Sequence, residues 1–453
     1  MARTFWQGPR RRSGCVGALL LVVLLSLLCF GCGGGSSSTG GGGPTESLPT
    51  FYPNNAPVPV TGPDVPGVQA FDDAVSALLR KWNVPGAAIA VAKDGKLILT
   101  RGYGYADFEA KQQVEPDSMF RIGSVSKVLT SMAILHLKDQ GLLNLDTPFL
   151  NILTEYHVGS GGDARLPTVT IRQLLQHSGG WDRNIKGDPL DLQGDVSRGL
   201  GISTPVLCPD VIRYEMGKPL DFAPGTKFVY SNFGYCILAQ VVEKVSAQPI
   251  ELYVRDHVLA SMDVYAMSIG YSHLNQRGPR EVKYYDYDGA PLVDSVFPGE
   301  GKVPWAYGGF EMMTFKGSGG WIGSAIDLTR VMTAIDSTRT ASFLSEETMQ
   351  EWDANPGLPA WSSDGTYYGL GIFVFPSPRR WYHGGSLPGG QSMLFRDENG
   401  YTWAIVTNSR TGNPDSFSNE EFDAMAHAMG SVQGSPTDLY PQYPSPNLPP
   451  RTQ

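Results

Sequence analysis

The sequence predicts an α+β fold, in which an antiparallel sheet is built from the N- and C-terminal segments, is flanked by helices and contains a mostly helical inserted region. Runs of β-forming residues lie between 87 and 101 and again between 369 and 408. The stretch from about 150 to 310 has helical and loop-like patterns with few strand signals. The chain has 453 residues, 41% of them hydrophobic, which is ample for one large core or two fused lobes.

The N-terminal half of the predicted domain begins near Val68 and starts with a periodic helix over 70–82. Two β-prone runs follow, 87–92 and 96–101, on either side of Asp94-Gly95, a strong hairpin signal. A long helix with an apolar period then covers 124–140, and Gly141 ends it.

The C-terminal half returns to β character at 369–375, 391–396 and 402–408, with Asn399-Gly400 as a second hairpin turn, and closes with a helix over 419–429. The chain therefore divides into four parts by composition. They are a signal peptide (1–31), a flexible Gly/Ser/Pro-rich spacer (32–66), one domain (67–430) and a disordered Pro-rich tail (431–453).

The N-terminus has the pattern of an export signal. Arg10, Arg11 and Arg12 precede an apolar run over 16–30, which is shorter than the ~20 residues that span a bilayer. Gly31-Cys32 and the Gly/Ser tract after it resemble a bacterial lipoprotein cleavage site. We therefore expect lipidation at Cys32, secretion across the inner membrane and anchoring in the bacterial cell envelope. Ordinary secretion and an uncleaved anchor are the alternatives.

Charge and motif content exclude several classes of function. A net charge of −9 without a long Lys/Arg run after the first dozen residues argues against a nucleic-acid partner. The sequence has no Gly-x-Ser-x-Gly elbow, zinc motif, dinucleotide fingerprint or P-loop, so we predict no metal and no cofactor. Cys208 and Cys236 follow the signal segment and form either a disulfide or two separate buried thiols.

The first of three chemical motifs is Ser124-Val-Ser-Lys127. It places a nucleophile and a candidate base on one face of a helix, whose N-terminus favours developing negative charge. Lys127 must be neutral to act as a base, and burial lowers the pKa of an amine. Since Lys127 precedes a largely apolar stretch over 128–135, we expect the helix to be buried; the alternative is an N-cap serine beside a surface lysine.

Two further motifs, Tyr230-Ser-Asn232 and His383-Gly384-Gly385, complete the pattern. Tyr230 supplies a phenol that can share a proton with Lys127, and the His-Gly-Gly backbone can lie on the other side of an acyl group. Each motif is weak alone, and the alternative for Tyr230 is a buried tyrosine in a tight turn. In this order, the three motifs indicate a serine acyl-transfer site that works without an acid–histidine relay.

With their flanking residues, these motifs resemble the serine β-lactamase-related family, nearest to class C β-lactamases, D-aminopeptidases, D,D-peptidases and esterases on the same scaffold. The resemblance covers about 68–430 and implies a fold like that of penicillin-recognising proteins. The matching segments, in family order, are 120–127, 174–180, 224–235, 319–328 and 406–408.

The resemblance also implies a role for each site residue. Ser124 is the nucleophile, and Lys127 and Tyr230 are the general base and acid. The backbone N–H groups of Ser124 and Ser386 form the oxyanion hole, and Asn232 positions the substrate's carbonyl or amide. The predicted substrate-binding residues are Asn232, His383, Gly384, Gly385 and Ser386.

One position departs from many β-lactamases, because His383 stands where they carry a lysine that faces the substrate carboxylate. A histidine is mostly neutral at pH 7, so we predict a serine hydrolase that leans towards esterase or broad hydrolase activity. Arg379 or Arg380 restores the charge if its side chain turns into the cleft.

Two alternatives to this function stay open. The chain is a β-lactamase, D,D-peptidase or D-aminopeptidase acting on cell-wall-like substrates, or a non-catalytic sensor that deacylates slowly. The expected partners are a small ester, amide or β-lactam and, through the lipid anchor only, a membrane.

Overall fold

The computed structural model describes residues 43–336 and 343–449, and within them an antiparallel sheet of nine strands lies between two layers of helices. The strands of these ranges, in chain order, are β1 (Val60–Thr61), β2 (Gly86–Lys93), β3 (Lys96–Asp107), β4 (Gln112–Gln113), β5 (Phe120–Arg121), β6 (Ser268–Ile269), β7 (Val293–Asp294), β8 (Lys302–Val303), β9 (Trp321–Gly323), β10 (Tyr367–Tyr368), β11 (Phe373–Pro376), β12 (Arg379–Leu387), β13 (Gly390–Arg396) and β14 (Tyr401–Thr407).

The α-helices of the same ranges are α1 (Val68–Trp82), α2 (Ser126–Asp139), α3 (Ile171–Leu175), α4 (Arg183–Lys186), α5 (Gln193–Leu200), α6 (Cys208–Glu215), α7 (Asn232–Ser246), α8 (Ile250–Tyr253), α9 (Ala325–Ile335), α10 (Glu346–Trp352) and α11 (Pro414–Met429). None of the helices in the described parts of the chain is long and apolar enough to cross a membrane.

The large sheet joins the two ends of the domain. Its order is β1-β3-β2-β14-β13-β12-β11-β10, with β4 beside β3, so the N-terminal hairpin pairs directly with the last C-terminal strand. The segment between β4 and β10 carries most of the helices and only short strands. This arrangement confirms the predicted α+β fold with its helical insertion.

Both predicted hairpin turns are present. Asp94 (φ 47°) and Gly95 (φ 78°) connect β2 to β3 in the left-handed conformation that a two-residue turn requires. Gly400 (φ 85°) serves the turn between β13 and β14. The predicted strand over 369–375 is wrong in its extent, because Gly371 turns at φ 106° and separates β10 from β11. The last helix also begins five residues before the predicted start, at Pro414.

Side-chain alternation along β2 shows where the core lies. Ala87, Ile89 and Val91 pack with residues of α1 and α11 on one face, and Ala88 and Ala90 pack with α2, α7 and α9 on the other. Both faces of the central strands are therefore covered by helices.

The spacer prediction is wrong for the part of the spacer that the structure describes, residues 43–66. Phe51 and Tyr52 are buried, and Tyr52 donates a hydrogen bond to the carbonyl of Pro85 at 2.5 Å. β1 extends the sheet beside β3. The Gly/Ser/Pro-rich composition predicted a flexible segment. Burial of the Phe51 and Tyr52 side chains offsets the conformational entropy that is lost when the segment is ordered.

The prediction of a disordered tail is wrong for residues 431–449, the part of the tail that the structure describes, and for a similar reason. Leu439 and Tyr440 are buried, and the backbone N–H of Leu439 donates to the carbonyl of Leu97 at 2.9 Å. Residues 435–440 therefore run along the hairpin of β2 and β3, where they satisfy backbone groups that the sheet leaves unpaired.

Of the two alternatives for the cysteines, the structure contains the disulfide. Cys208 at the start of α6 is bonded to Cys236 in the first turns of α7. The bond closes 28 residues of the helical insertion and holds α6 against the end of α7 that begins at Asn232. Cys32, the predicted lipidation site, lies outside the described residues.

Candidate active site

Ser124 lies in a single 3-10 turn, Gly123–Val125, between β5 and the start of α2. Gly123 is in the left-handed region (φ 49°), and a Cβ there would lie 2.6 Å from the backbone nitrogen of Ser386. Only glycine fits this position, because β12 passes directly against the turn. The turn therefore presents the Ser124 hydroxyl beside the backbone of β12.

Lys127 contacts Ser124 from the first turn of α2. Its Nζ lies 3.0 Å from Ser124 Oγ, 2.8 Å from Asn232 Oδ1 and 2.7 Å from the carbonyl oxygen of Ser318. The last two oxygens can only accept hydrogen bonds. A neutral amine has two N–H groups and one lone pair, so the two acceptors use both hydrogens and leave the lone pair facing Ser124.

The surroundings of Lys127 favour the neutral amine that this geometry requires. The side chain is fully buried, and burial lowers its pKa well below the usual value. The charge of Arg183 lowers this pKa further, whereas Asp188 and Asp191 raise it. Burial is the largest of these effects, so Lys127 is a base with a depressed pKa.

Tyr230 contacts the same amine through its ring. Lys127 Nζ lies 4.7 Å from the ring centroid, and the ring of His177 packs against the phenol at 4.3 Å. Burial raises the pKa of Tyr230 well above its usual value, although the neighbouring Ser124 hydroxyl opposes the shift. Within the described residues the Tyr230 hydroxyl is buried without a hydrogen-bond partner. Tyr230 is therefore a protonated phenol beside the Ser124 hydroxyl.

Asn232 begins α7 and orients the lysine. Its backbone N–H donates to Asp188 Oδ2 at 2.5 Å, which anchors the helix start, and its side-chain oxygen accepts from Lys127. Its side-chain amide nitrogen makes no hydrogen bond within the described residues, and the contact of this group with a substrate stays a prediction. Asp188 was missed by the sequence prediction because it lies in an irregular segment between α4 and α5.

Asp188 and Asp191 form a buried acidic pair behind the site. Backbone N–H groups of Leu190 and Asn232 donate to Asp188, whereas Asp191 Oδ1 has no partner in the described chain. Burial and then the charge of Asp188 raise the pKa of Asp191 well above its usual value. Ionising both of these neighbouring carboxyls would cost free energy through charge repulsion. The negative charge therefore resides on Asp188, which accepts the two backbone hydrogen bonds.

This pair gives a prediction about pH. Asp188→Asn keeps an oxygen for the N–H of Asn232 but removes the charge that raises the pKa of Lys127. In the predicted mechanism the neutral amine of Lys127 is the base, so we expect activity to fall as pH falls through the pKa of Lys127. We expect the acid limb of kcat/KM to move to lower pH in Asp188→Asn. Asp294→Asn, an exposed acid with a lysine partner, is the control and should leave the profile unchanged. An acid limb that stays in place or moves upward contradicts the prediction.

The predicted oxyanion groups lie on adjoining backbone segments. Gly385 packs so closely against the Ser124 turn that a Cβ there would lie 2.0 Å from the carbonyl oxygen of Ile122. Ser392 Oγ donates to that same carbonyl at 2.7 Å and holds β13 there as well. Ser386 follows, half-buried, with a hydroxyl that lacks a partner in the described chain. The structure thus brings the backbone of Ser386 beside that of Ser124.

The predicted role of His383 as a side chain that faces substrate is wrong. It is only 1% exposed, its Nδ1 donates to the carbonyl of Gly384 at 2.7 Å, and its Nε2 accepts from the Tyr368 hydroxyl at 3.0 Å. Burial, followed by the charge of Lys127, lowers the pKa of His383 to about 3, so the ring is neutral. Both ring nitrogens of His383 make hydrogen bonds within the protein, so neither is available to a substrate.

The alternative rescue of charge by Arg379 is also wrong. Its guanidinium forms an ion pair with Asp353, which also accepts a hydrogen bond from Trp381 Nε1 at 2.9 Å. Arg380 packs over the ring of Phe375, with 5.9 Å between its guanidinium carbon and the ring centroid. β12 therefore presents no cation to the site.

A family model described as Beta-lactamase matches residues 71–428, which is most of the chain. The chain belongs to the beta-lactamase family. The match extends over the motifs on which the resemblance was based and confirms it. The described part of the chain has no group of three or more histidine, cysteine or acidic side chains placed to hold a metal ion.

Two protein relatives show how far the sequence likeness extends. Protein flp from Staphylococcus aureus (strain MW2) is 30% identical over 227 residues, which are 50% of this chain and 43% of that protein. The chain thus matches less than half the length of the staphylococcal relative. The probable fimbrial assembly protein FimD, serogroup H1, of Dichelobacter nodosus is 27% identical over 307 residues, 66% of this chain and 68% of that protein.

Three solved structures share the beta-lactamase family fold. The octameric penicillin-binding protein homologue from Pyrococcus abyssi has a TM-score of 0.63 at 23% identity, over 83% of this chain and 80% of that chain. A D-stereospecific amidohydrolase from Streptomyces sp. gives 0.59 at 20%, over 80% and 99%. EstCE1, described as a hydrolase with promiscuous acyltransferase activity, gives 0.61 at 20%, over 79% and 98%. At these identities the likeness shows the fold.

Proposed function

We propose that the chain hydrolyses ester or amide carbonyls through a covalent acyl-enzyme on Ser124. The observation that carries this proposal is the contact of 3.0 Å between Lys127 Nζ and Ser124 Oγ, with both N–H groups of the neutral amine used elsewhere. A base held in this way directs its lone pair at the Ser124 hydroxyl and can accept the serine proton.

The remaining groups complete one catalytic cycle. As Ser124 attacks, its proton passes to Lys127, and the oxyanion binds to the backbone N–H groups of Ser124 and Ser386. Tyr230, whose raised pKa keeps the phenol protonated, gives its proton to the leaving group and regains one from Lys127. Water then releases the acyl group by the reverse transfers.

The buried state of His383 supports a lean towards esters and a broad hydrolase activity. A family site with a lysine at this position presents a permanent cation to the substrate. His383 is instead neutral and buried, and it accepts a hydrogen bond from the Tyr368 hydroxyl. β12 therefore offers no charge to the carboxylate of a penicillin or a D,D-peptide, and hydrolysis of those two substrates is the alternative function.

Parallel assays of a p-nitrophenyl ester, a cephalosporin and a D-alanyl peptide test this proposal, with intact-mass detection of the adduct on Ser124. The proposal expects turnover of the ester above the other two. Preference for the cephalosporin or the peptide would replace it with the alternative. A stoichiometric adduct without turnover would instead indicate a sensor that deacylates slowly.

We also propose that the protein is exported and anchored through Cys32. The Gly31-Cys32 junction and the tract after it support export, and a disulfide between Cys208 and Cys236 suits an oxidising compartment. Intact-mass analysis of membrane-extracted protein is expected to show a chain that starts at Cys32 and carries diacylglycerol. A soluble product that starts elsewhere rejects the anchor.

A further inference from the structure

A cavity of about 910 Å³ lies in the helical insertion, apart from the candidate active site. Its walls come from the start of α6, the second half of α7 and the chain around the 3-10 turn Met312–Phe315. None of the candidate catalytic or substrate-binding residues lines it. Gln240, which does, follows Asn232 by eight residues, or about 12 Å along the axis of α7. A cavity of this volume is large enough for a small molecule.

Lys316 and Glu243 form an ion pair in the wall of this cavity. Lys316 Nζ lies 2.7 Å from one carboxylate oxygen of Glu243 and 2.8 Å from the other. Each oxygen also accepts a second hydrogen bond, one from the backbone N–H of Ile250 at 3.1 Å and one from Gln240 Nε2 at 2.7 Å. The acceptor positions of Glu243 are therefore all in use.

The ammonium group of Lys316 has one donor more than Glu243 takes. An ammonium carries three N–H groups, and two of them are directed at the carboxylate oxygens. No other acceptor contacts Lys316 Nζ in the part of the chain that the structure describes. The side chain is only 12% exposed, and a largely buried donor of this kind favours a ligand that supplies an acceptor.

Glu311, the other acid in the wall, is directed into the protein. It is 6% exposed, and its two oxygens accept from the backbone N–H of Met313 at 2.8 Å and from the Ser272 hydroxyl at 3.2 Å. Much of the remaining wall is apolar or aromatic, and includes Pro205, Leu207, Pro209, Pro249, Tyr271 and Met313. Such a surface suits an apolar body.

We propose that this cavity binds an uncharged small molecule that has an apolar body and a carbonyl oxygen. The apolar body packs on Leu207 and Met313, and the carbonyl oxygen accepts the third N–H of Lys316. Glu243 would repel an anion and Lys316 would repel a cation, and either ion would lack a countercharge, because the two charges in the wall already neutralise each other. The site goes beyond the proposed function and does not depend on it.

The test uses the full chain with Ser124→Ala, so that no probe can react with the candidate nucleophile. Three probes have the same arrangement of heavy atoms: 4-phenylbutan-2-one is neutral, 3-phenylpropanoate is an anion, and 4-phenylbutan-2-amine is a cation at neutral pH. Their dissociation constants are measured by calorimetry. We expect the ketone to bind about 10-fold or more tightly than either ion.

Leu207→Asp locates the site. It places a charge on the apolar wall at an N-cap position that is 41% exposed, where aspartate is a favourable residue for the helix. We expect it to weaken binding of the ketone by about 10-fold or more. Leu142→Asp is the matched control, because Leu142 is 61% exposed and does not line the cavity, and it is expected to leave ketone binding unchanged.

Lys316→Met tests the polar end of the cavity. It removes the ammonium and leaves Glu243 without its cation, so we expect the order of the probes to reverse, with the amine binding more tightly than the ketone. Lys244→Met removes a neighbouring lysine that is paired with Glu155 instead, and it is expected to keep the original order.

Three outcomes overturn the assignment. They are an ion that binds as tightly as the ketone, ketone binding that Leu207→Asp leaves unchanged, and a folded Lys316→Met protein that keeps the original order of the probes. Melting curves identify the folded variants, and if Lys316→Met does not fold, the probe series and Leu207→Asp decide. Failure of the proposed function leaves these results unaffected, because every measurement is made without the Ser124 hydroxyl.

Discussion

Ser124→Ala is expected to lower kcat by about 10⁴-fold or more and to abolish the covalent adduct with a fluorophosphonate. In the proposed mechanism the acyl group is bonded to this hydroxyl alone, and the variant removes it while leaving the backbone of the 3-10 turn unaltered in sequence at its other positions. Residual activity, at the level that an oxyanion hole and binding alone supply, is measured with the same ester.

Ser126→Ala is the matched control for this variant. Ser126 lies two residues along the chain and is fully buried, and its hydroxyl accepts a hydrogen bond from the backbone of Trp321 at 3.3 Å. It is expected to lower Tm slightly and to keep the adduct. Labelling that persists in Ser124→Ala would show that another residue is the nucleophile.

Lys127→Ala is expected to lower kcat by about 10²- to 10⁴-fold with a smaller effect on KM, because the amine moves a proton rather than binding substrate. Tyr230→Phe is expected to have an effect in the same range. In Lys127→Ala the acid limb of the pH profile should also disappear, since the group that must lose its proton is gone.

Lys127→Met separates chemistry from packing in this experiment. It fills the buried space with a chain of similar length but leaves Ser318 and Asn232 without their donor, so both lysine variants should lower Tm. Equal losses of kcat in the two variants identify proton transfer as the cause. A change confined to KM would mean that the assigned role is wrong.

The sheet and the contact between Ser124 and Lys127 could be predicted because their signals are local. Asp94-Gly95 specifies a turn by backbone conformation alone, and a spacing of three residues brings Ser124 and Lys127 to one helix face whatever the tertiary structure. Burial of Lys127 followed equally from the apolar residues after it.

The remaining features depend on contacts between distant segments. Alternation along β12 places His383 on one face of the sheet. Whether its side chain is exposed or buried depends on Tyr368, which lies on a different strand and covers the ring. Asp188 lies in an irregular segment between α4 and α5, where no hydrophobic period indicates the direction of its side chain. Phe51 was missed because its flanking residues have the composition of a linker.

The hydrogen bond from Ser392 to Ile122 joins positions 270 residues apart, and it has a consequence for timing. Ribosomes release the N-terminal part first, so a growing chain carries Ser124 and Lys127 long before β12 and β13 exist. Until those strands are made and docked, Ser124 lacks the backbone N–H of Ser386, which is the second donor of the proposed oxyanion hole. The proposed acyl-transfer site can therefore form only after the C-terminal strands have been synthesised.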